Sequence, residues 1–300
     1  MFKRLLIPLD GSALAETVLP AARWFAESFG AAVLLIHVVE PHAPSTVHQE
    51  RHLQDAADAQ QYLARIASEV FGKAIDVTTH VHERNGANVA DRIADHADEY
   101  ASELIFMADH GEHGPSRWIS GSLAQKVAGI DTTPIFLLRP RPGYRSDASW
   151  SCRSLMVPLD CSGEHERALD IAAIVAAKAG ASVELVNVVD TYTTISGPFT
   201  NISRLLPGST VRLLDVAAEE ATIFLQKRQA LFSDRSISST IQVARGDPAK
   251  VIVARARETA VDCVVVGTHA KRGLDAFWSG SVVSKICSSC DTPLLLVPVG

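Results

Sequence analysis

The chain has no long apolar run, no basic stripe and few cysteines, and each shortage narrows what it can be. Lys3-Arg4 precede only the apolar stretch Leu5 to Leu9 before Asp10, too short for a signal-peptide core or a membrane span. That predicts a soluble, cytoplasmic protein with no membrane partner. Lysine and arginine number 28 against 34 acidic residues, a net charge of −6. Phosphate neutralisation supplies most nucleic-acid affinity, so nucleic acid is not an expected partner, whereas a small anion is. The five cysteines, Cys152, Cys161, Cys263, Cys287 and Cys290, are odd in number and mostly in apolar or helical settings, which points to a reducing compartment. Cys287-Ser-Ser-Cys290 is spaced like a redox pair, but it falls in an expected helix and no Cys/His pair elsewhere has zinc-ligand spacing, so it reads as structural.

Catalytic signatures are also missing. The chain contains no G-x4-G-K-[S/T], no dinucleotide motif after a first strand, no G-x-S-x-G and no H-E-x-x-H. Leu9-Asp10-Gly11-Ser12 lacks the paired glycines of a pyrophosphate-releasing ATP loop, so an enzyme, slowly ATP-hydrolysing or adenylyl-transferring, is the lesser reading. Eleven histidines invite a metal reading. His48 and His52 lie four apart on an expected helix, His42 precedes them, and His110 and His113 share a loop. Pairs of this kind do not complete a site, and no metal site is predicted.

What the chain does have is an internal repeat. Arg4-Leu5-Leu6-Ile7-Pro8-Leu9-Asp10 returns as Ser154-Leu155-Met156-Val157-Pro158-Leu159-Asp160, and Ala32 to Val39 returns as Ser182 to Val189, both offset by 150. Gly121-Ser122 against Gly280-Ser281 and Thr133-Pro134 against Thr292-Pro293 are offset by 159. The second copy therefore carries nine extra residues between its second strand and this region. Asp190 to Gly208 accounts for most of them and is either a lid or a longer surface loop. Asn201-Ile-Ser203 matches a glycosylation acceptor, without meaning in a cytosolic protein. With 47% hydrophobic residues over 300, each copy is long enough to bury its own core. The expected domains are 1–140 and 153–300, joined by a Pro-, Gly- and Arg-containing linker at 141–152.

Strand and helix patterns alternate within each copy. Strands are expected at Arg4 to Leu9, Ala32 to Val38, Ile75 to His82, Glu103 to Met107 and Ile135 to Leu138, and helices near 13–28, 47–70, 87–99 and 121–129. Such alternation builds a parallel sheet through right-handed crossovers. The fold class is α/β: two tandem Rossmann-like domains, each a five-stranded sheet with helices on both faces. Each copy ends in an apolar edge strand, Ile135 to Leu138 and Leu294 to Val297, and the two are expected to cover one another as an antiparallel pair within one chain.

Val261 to Ser281 holds the densest signal, with Ser102 to Ser122 its poorer twin. Each runs from a buried strand through a polar, Gly-containing loop to Gly-Ser opening a helix, the outline of a phosphate cradle made of backbone N–H groups and a helix N-terminus. Gly267, Ala270 and Gly280-Ser281 are spaced as Ala108, Gly111 and Gly121-Ser122 are. This resembles the universal stress protein family, whose nucleotide-binding members carry G-x2-G-x9-G-[S/T] here. The resemblance implies strand order 3-2-1-4-5 and adenine nucleotide (ATP, ADP or AMP) at the strand carboxyl ends.

It further implies that Asp10 and Asp160 meet the ribose, and that Val38 and Val188 read the adenine edge from the backbone. The alternative for the aspartates is to cap the next helix. Each copy has lost one cradle glycine, to Ala108 or Ala270. Copy one retains Gly111, Gly121 and Ser122 but follows Gly111 with Glu112. Copy two places Lys271 and Arg272 beside Ala270, and charge-assisted hydrogen bonds of about 1.5–3 kcal/mol each offset one altered backbone contact. The preferred site is therefore Pro158, Leu159, Asp160, Val188, Gly267, Ala270, Lys271, Arg272, Gly280, Ser281 and Val282. The expected function is a stress-response regulator that binds nucleotide and acts through a protein partner, as a homo-oligomer. The alternative is a nucleotide-free interaction scaffold.

Overall fold

A computed structural model describes residues 1–39, 46–47, 50–51, 53, 55–83, 88–109, 123–130, 132–140, 149–195, 207–269 and 281–299. These fall into two compact units. Unit 1 gathers the described residues of Met1–Ser151 with Pro293–Pro298, and unit 2 those of Cys152–Thr268 and Gly280–Thr292.

In unit 1 the chain runs β1 (Arg4–Pro8), α1 (Ala13–Glu16), α2 (Leu19–Phe29), β2 (Ala32–Val39), the short pair β3 (Thr46–Val47) and β4 (Glu50–Arg51), then α3 (Ala56–Ile66), which continues as a π-helical turn at Ala67–Phe71. It goes on through β5 (Val77–Glu83), α4 (Val89–Glu99), β6 (Leu104–Ala108), α5 (Leu123–Ile130) and β7 (Ile135–Leu138). The five main strands are parallel in the order β5-β2-β1-β6-β7, which is 3-2-1-4-5 counted along the repeat. Their side chains form the core with α2, centred on Phe25. Its ring meets Phe2 at 5.6 Å, Phe106 at 5.5 Å, Phe136 at 6.0 Å and Trp150 at 6.0 Å between centroids. Trp150 thus anchors the end of the expected linker in unit 1.

Unit 2 repeats the plan with β8 (Ser154–Pro158), α6 (Glu166–Ala179), β9 (Ser182–Val189), α7 (Pro207–Ser233), β10 (Ser239–Arg245), α8 (Pro248–Glu258), β11 (Cys263–His269) and α9 (Val282–Ser289). The parallel order is β10-β9-β8-β11. The fifth strand of the second repeat, β12 (Leu294–Val299), joins unit 1 over Pro293–Pro298. There it pairs antiparallel with β7, Leu294 opposite Leu137, Leu295 opposite Phe136 and Leu296 opposite Ile135. The expected mutual covering of the two apolar strands is present.

Both repeats tie strand four to strand one by the same device. Glu103 accepts from the Lys3 N–H at 2.7 Å, and Asp262 accepts from the Arg153 N–H at 2.7 Å.

Two helix expectations need correction. The helix expected over 13–28 is two helices, because Thr17 closes α1 with its N–H and hydroxyl on the Leu14 carbonyl, and Pro20 then occupies the first turn of α2, where no N–H is required. The helix expected over 47–70 starts at Ala56. Asp55 caps it, accepting from Ala57 N at 2.8 Å and Asp58 N at 3.1 Å. His48 and His52, expected on that helix, lie outside the described residues. The segment 196–206 does too, so the lid question reduces to its ends. Asp190 accepts from the Thr194 hydroxyl at 3.0 Å in a local turn, and Ile195 packs against Val189, Leu214 and Ala221.

Candidate functional site

The carboxyl ends of strands one and four, where strand order reverses, are where a doubly wound sheet leaves room for a ligand. In unit 2 these are the ends of β8 and β11. Pro158 ends β8, and the buried Leu159 continues its pairing through its N–H to the Val186 carbonyl at 2.8 Å. Asp160 follows with its side chain 62% exposed. Three donors converge on its Oδ1: the Ser162 N–H at 2.9 Å, the Ser162 hydroxyl in a short contact, and His165 Nε2 at 2.8 Å. Oδ2 takes none of them. The His165 bond, reinforced by those from Ser162 and opposed by burial, holds the carboxyl well below the usual carboxylate range.

His165 is buried and precedes α6. Its ring lies against Gly267 on β11, where a Cβ would stand 2.5 Å from Nδ1. Asp160, His165 and Gly267 therefore form one constellation. Beneath it, the buried Asn187 donates from Nδ2 to the Leu159 carbonyl at 2.8 Å and fixes the turn out of β8. Val188 is half-buried at the end of β9. Ser281 caps α9, its hydroxyl accepting from Ser284 N at 3.1 Å, and Val282 is exposed in the first turn. Ala270, Lys271, Arg272 and Gly280 lie outside the described residues. Cys161 beside Asp160 is exposed, and partial burial with the charges of Asp160 and Glu220 pushes its thiol up. None of the five cysteines forms a disulfide.

In unit 1 the turn after β1 is held differently. Asp10 Oδ1 accepts from Ser12 N at 2.9 Å and from the Ser12 hydroxyl at 2.6 Å, and Ser12 in turn caps α1 by accepting from Ala15 N at 3.1 Å. Asp10 thus orients the cap instead of serving as the cap. Gly11 has φ +90°, and a Cβ there would lie 2.8 Å from Leu53 Cγ. The Leu53 carbonyl meets His37 Nε2 at 3.0 Å, while His37 Nδ1 meets the Leu9 carbonyl at 2.8 Å. Tyr62 stands in the same neighbourhood, its phenol pushed up by burial, by Glu16 and by Asp10. Val38 is buried. Past Ala108, the buried Asp109 pairs with Arg139 Nη2 at 3.0 Å. Gly111, Gly121 and Ser122 lie outside the described residues.

The residues overlooked in the sequence are His165 and Leu53. His165 had one available signal: at the 150 offset it replaces Ala15, just as Gly267 replaces Ala108 at 159. Leu53 had none, because its apolar side chain looked like part of a helix.

The parallel strand order and its switch point define a doubly wound α/β class of domain. The universal stress protein family model matches residues 1–139 and 152–298, and the chain belongs to that family. It is 28% identical over 138 residues to universal stress protein Sll1654 of Synechocystis sp., a match covering 46% of this chain and 86% of that protein. It is 26% identical over 149 residues to universal stress protein YxiE of Bacillus subtilis, covering 46% and 100%. A universal stress protein from Archaeoglobus fulgidus superposes with TM-score 0.69 at 15% identity, covering 99% of this chain and 96% of that one, which extends the fold likeness across both repeats. Among the described residues no helix is long and apolar enough to cross a membrane.

Proposed function

We propose that the chain is a stress-response regulator binding an adenine nucleotide, ATP, ADP or AMP, at the switch point of unit 2. One contrast carries this reading. In unit 2 Asp160 is exposed and its donors among the described residues all meet Oδ1, whereas in unit 1 Leu53 presses on Gly11 beside Asp10. A carboxylate with one pinned oxygen and one available is suited to accept from a ribose hydroxyl. Lys271 and Arg272, close in sequence to β11, supply charge for phosphates. The nucleotide acts by changing conformation for a protein partner, in a cytoplasmic homo-oligomer.

A second reading has its own support. Gly267 makes room for His165, a structural reason for that glycine that requires no phosphate, and this favours a nucleotide-free scaffold. Mass spectrometry of ligand released from freshly purified protein separates the two, since recovered ATP, ADP or AMP excludes the scaffold. Titration then locates the site. Gly280→Val abolishes most binding, Gly121→Val leaves it nearly intact, and Ala270→Gly tightens it. If Gly121→Val is the more damaging, the site is in unit 1.

A further inference from the structure

A second constellation lies at the edge of unit 1. His80 and His82 stand two residues apart on β5, the outermost strand of its sheet on that side, and the two-residue period of a strand turns both imidazoles to one face. The opposite face belongs to α3, where Gln60 Nε2 donates to the Thr79 hydroxyl at 2.9 Å. On the histidine face α4 contributes His96, whose ring centroid lies 4.7 Å from that of His80 and 5.2 Å from that of His82.

Three imidazoles gathered this closely need a reason, since aligned positive charges would repel. Metal coordination is one such reason, because each imidazole offers a ring nitrogen whose lone pair a cation can take. One nitrogen from each ring lies within 4.8 Å of the others. His96 Nε2 and His82 Nδ1 are 3.3 Å apart. Zinc–nitrogen bonds of about 2.0–2.1 Å at tetrahedral angles place two ligand nitrogens roughly 3.3–3.5 Å apart. That pair is already at coordination distance, and the third ring needs a shift of about 1 Å, within the reach of a side-chain rotation.

The remaining nitrogen of His96 is also placed for this role. Its Nδ1 lies 3.1 Å from Glu99 Oε2, and a carboxylate there accepts a hydrogen bond from Nδ1–H, which fixes that tautomer and leaves Nε2 with the lone pair, as carboxylate–histidine–metal arrangements require. With His96 in that tautomer, His82 Nδ1 donates to His96 Nε2, and to ligate through Nδ1 the neutral His82 ring would carry its proton on Nε2 instead. Of the charges nearby, Glu99 and Asp95 favour a cation, and Arg92, paired to Asp95 at 2.8 Å, opposes it.

We propose that His80, His82 and His96 form a binding site for a divalent transition metal of the zinc class, with three nitrogen ligands and a fourth position open to water or an anion. It is independent of the nucleotide reading, because it uses none of the same residues. An all-nitrogen set suits Zn2+, Ni2+ and Cu2+ over Mg2+ or Ca2+, which take oxygen.

The test uses the full chain stripped with chelator and titrated with ZnCl2 by calorimetry, and with CoCl2 by visible absorption. One site per chain is expected, and His80→Gln, His82→Gln and His96→Gln each weaken it at least about tenfold, with Glu99→Gln costing about 10- to 100-fold through the tautomer. His48→Gln with His52→Gln leaves it unchanged. Matching metal-free thermal midpoints exclude a folding defect in the variants. Should a variant misfold, long-range proton–nitrogen spectra of the wild type decide, since zinc must shift the ring nitrogens of three histidines and spare the others. No saturable zinc binding, binding unaltered in a folded His96→Gln chain, or zinc shifting other rings overturns the proposal.

Discussion

The ring of His165 occupies the space that any side chain at Gly267 would need. At the repeat offsets the same two places in unit 1 are held by Ala15 and Ala108. The histidine and the glycine occur together, and the two alanines occur together. Local fit accounts for this, because a Cβ at 267 would stand 2.5 Å from Nδ1, whereas a methyl group at 15 is far smaller than an imidazole.

Gly267→Ala is therefore expected to destabilise the protein by about 1–3 kcal/mol, an overpacking cost, and to disturb the His165–Asp160 bond. In a His165→Ala background the same substitution should cost little, because the obstructing ring is gone. Denaturant melts of the four species measure the coupling. Additive effects would mean that the ring moves aside freely.

Leu53→Ala is expected to open unit 1 at Gly11. If the chain's own leucine is what keeps ligand from that switch point, nucleotide titration of the variant shows a second, weaker site, with Asp10→Ala abolishing it. An unchanged stoichiometry would assign the difference between the units to their loops instead.

The pairing of β12 with β7 gives Leu295, buried opposite Phe136, a role in unit 1 although it belongs to the second repeat. Leu295→Ala should cost about 2–5 kcal/mol, as buried leucines do. Hydrogen exchange should rise at Ile135 to Leu138, whose edge would otherwise be unpaired. Exchange confined to unit 2 amides would contradict the placement of the strand.

His80 and His82 titrate below 6.5 when folded and at their ordinary value when unfolded. Between the depressed and ordinary values the unfolded chain binds more protons, so stability rises with pH through that window and levels off above about 6.5. Burial, His96 and Arg92 oppose protonation there, while Glu99 and Asp95 moderate it. Metal-free thermal midpoints should therefore fall on acidification below about pH 6.5, less so in His80→Gln with His82→Gln. An equal fall in both proteins would place the acid sensitivity elsewhere.

The amino-acid sequence by itself determined the repeat, the strands and the family, because those rest on local periodicity and on motifs counted along the chain. Apolar runs such as Leu5 to Leu9 and Val264 to Val266 leave little alternative to buried parallel strands; Asp10 and Asp160 follow the ends of β1 and β8 and Ser281 caps α9, whereas Gly267, expected in the loop after the strand, lies within β11. Local capping was legible only in part. Asp55 starts α3 by accepting from two N–H groups, a choice the apolar pattern of 47–70 did not reveal. Tertiary structure alone decided what the landmarks touch. Period two aligned His80 with His82, but only the crossover from β5 into α4 carried His96 to the same face. The Leu53 contact with Gly11, the His165 contact with Gly267 and the seat of β12 in unit 1 likewise join residues far apart in sequence, and such contacts are set by how elements pack, which no local pattern encodes.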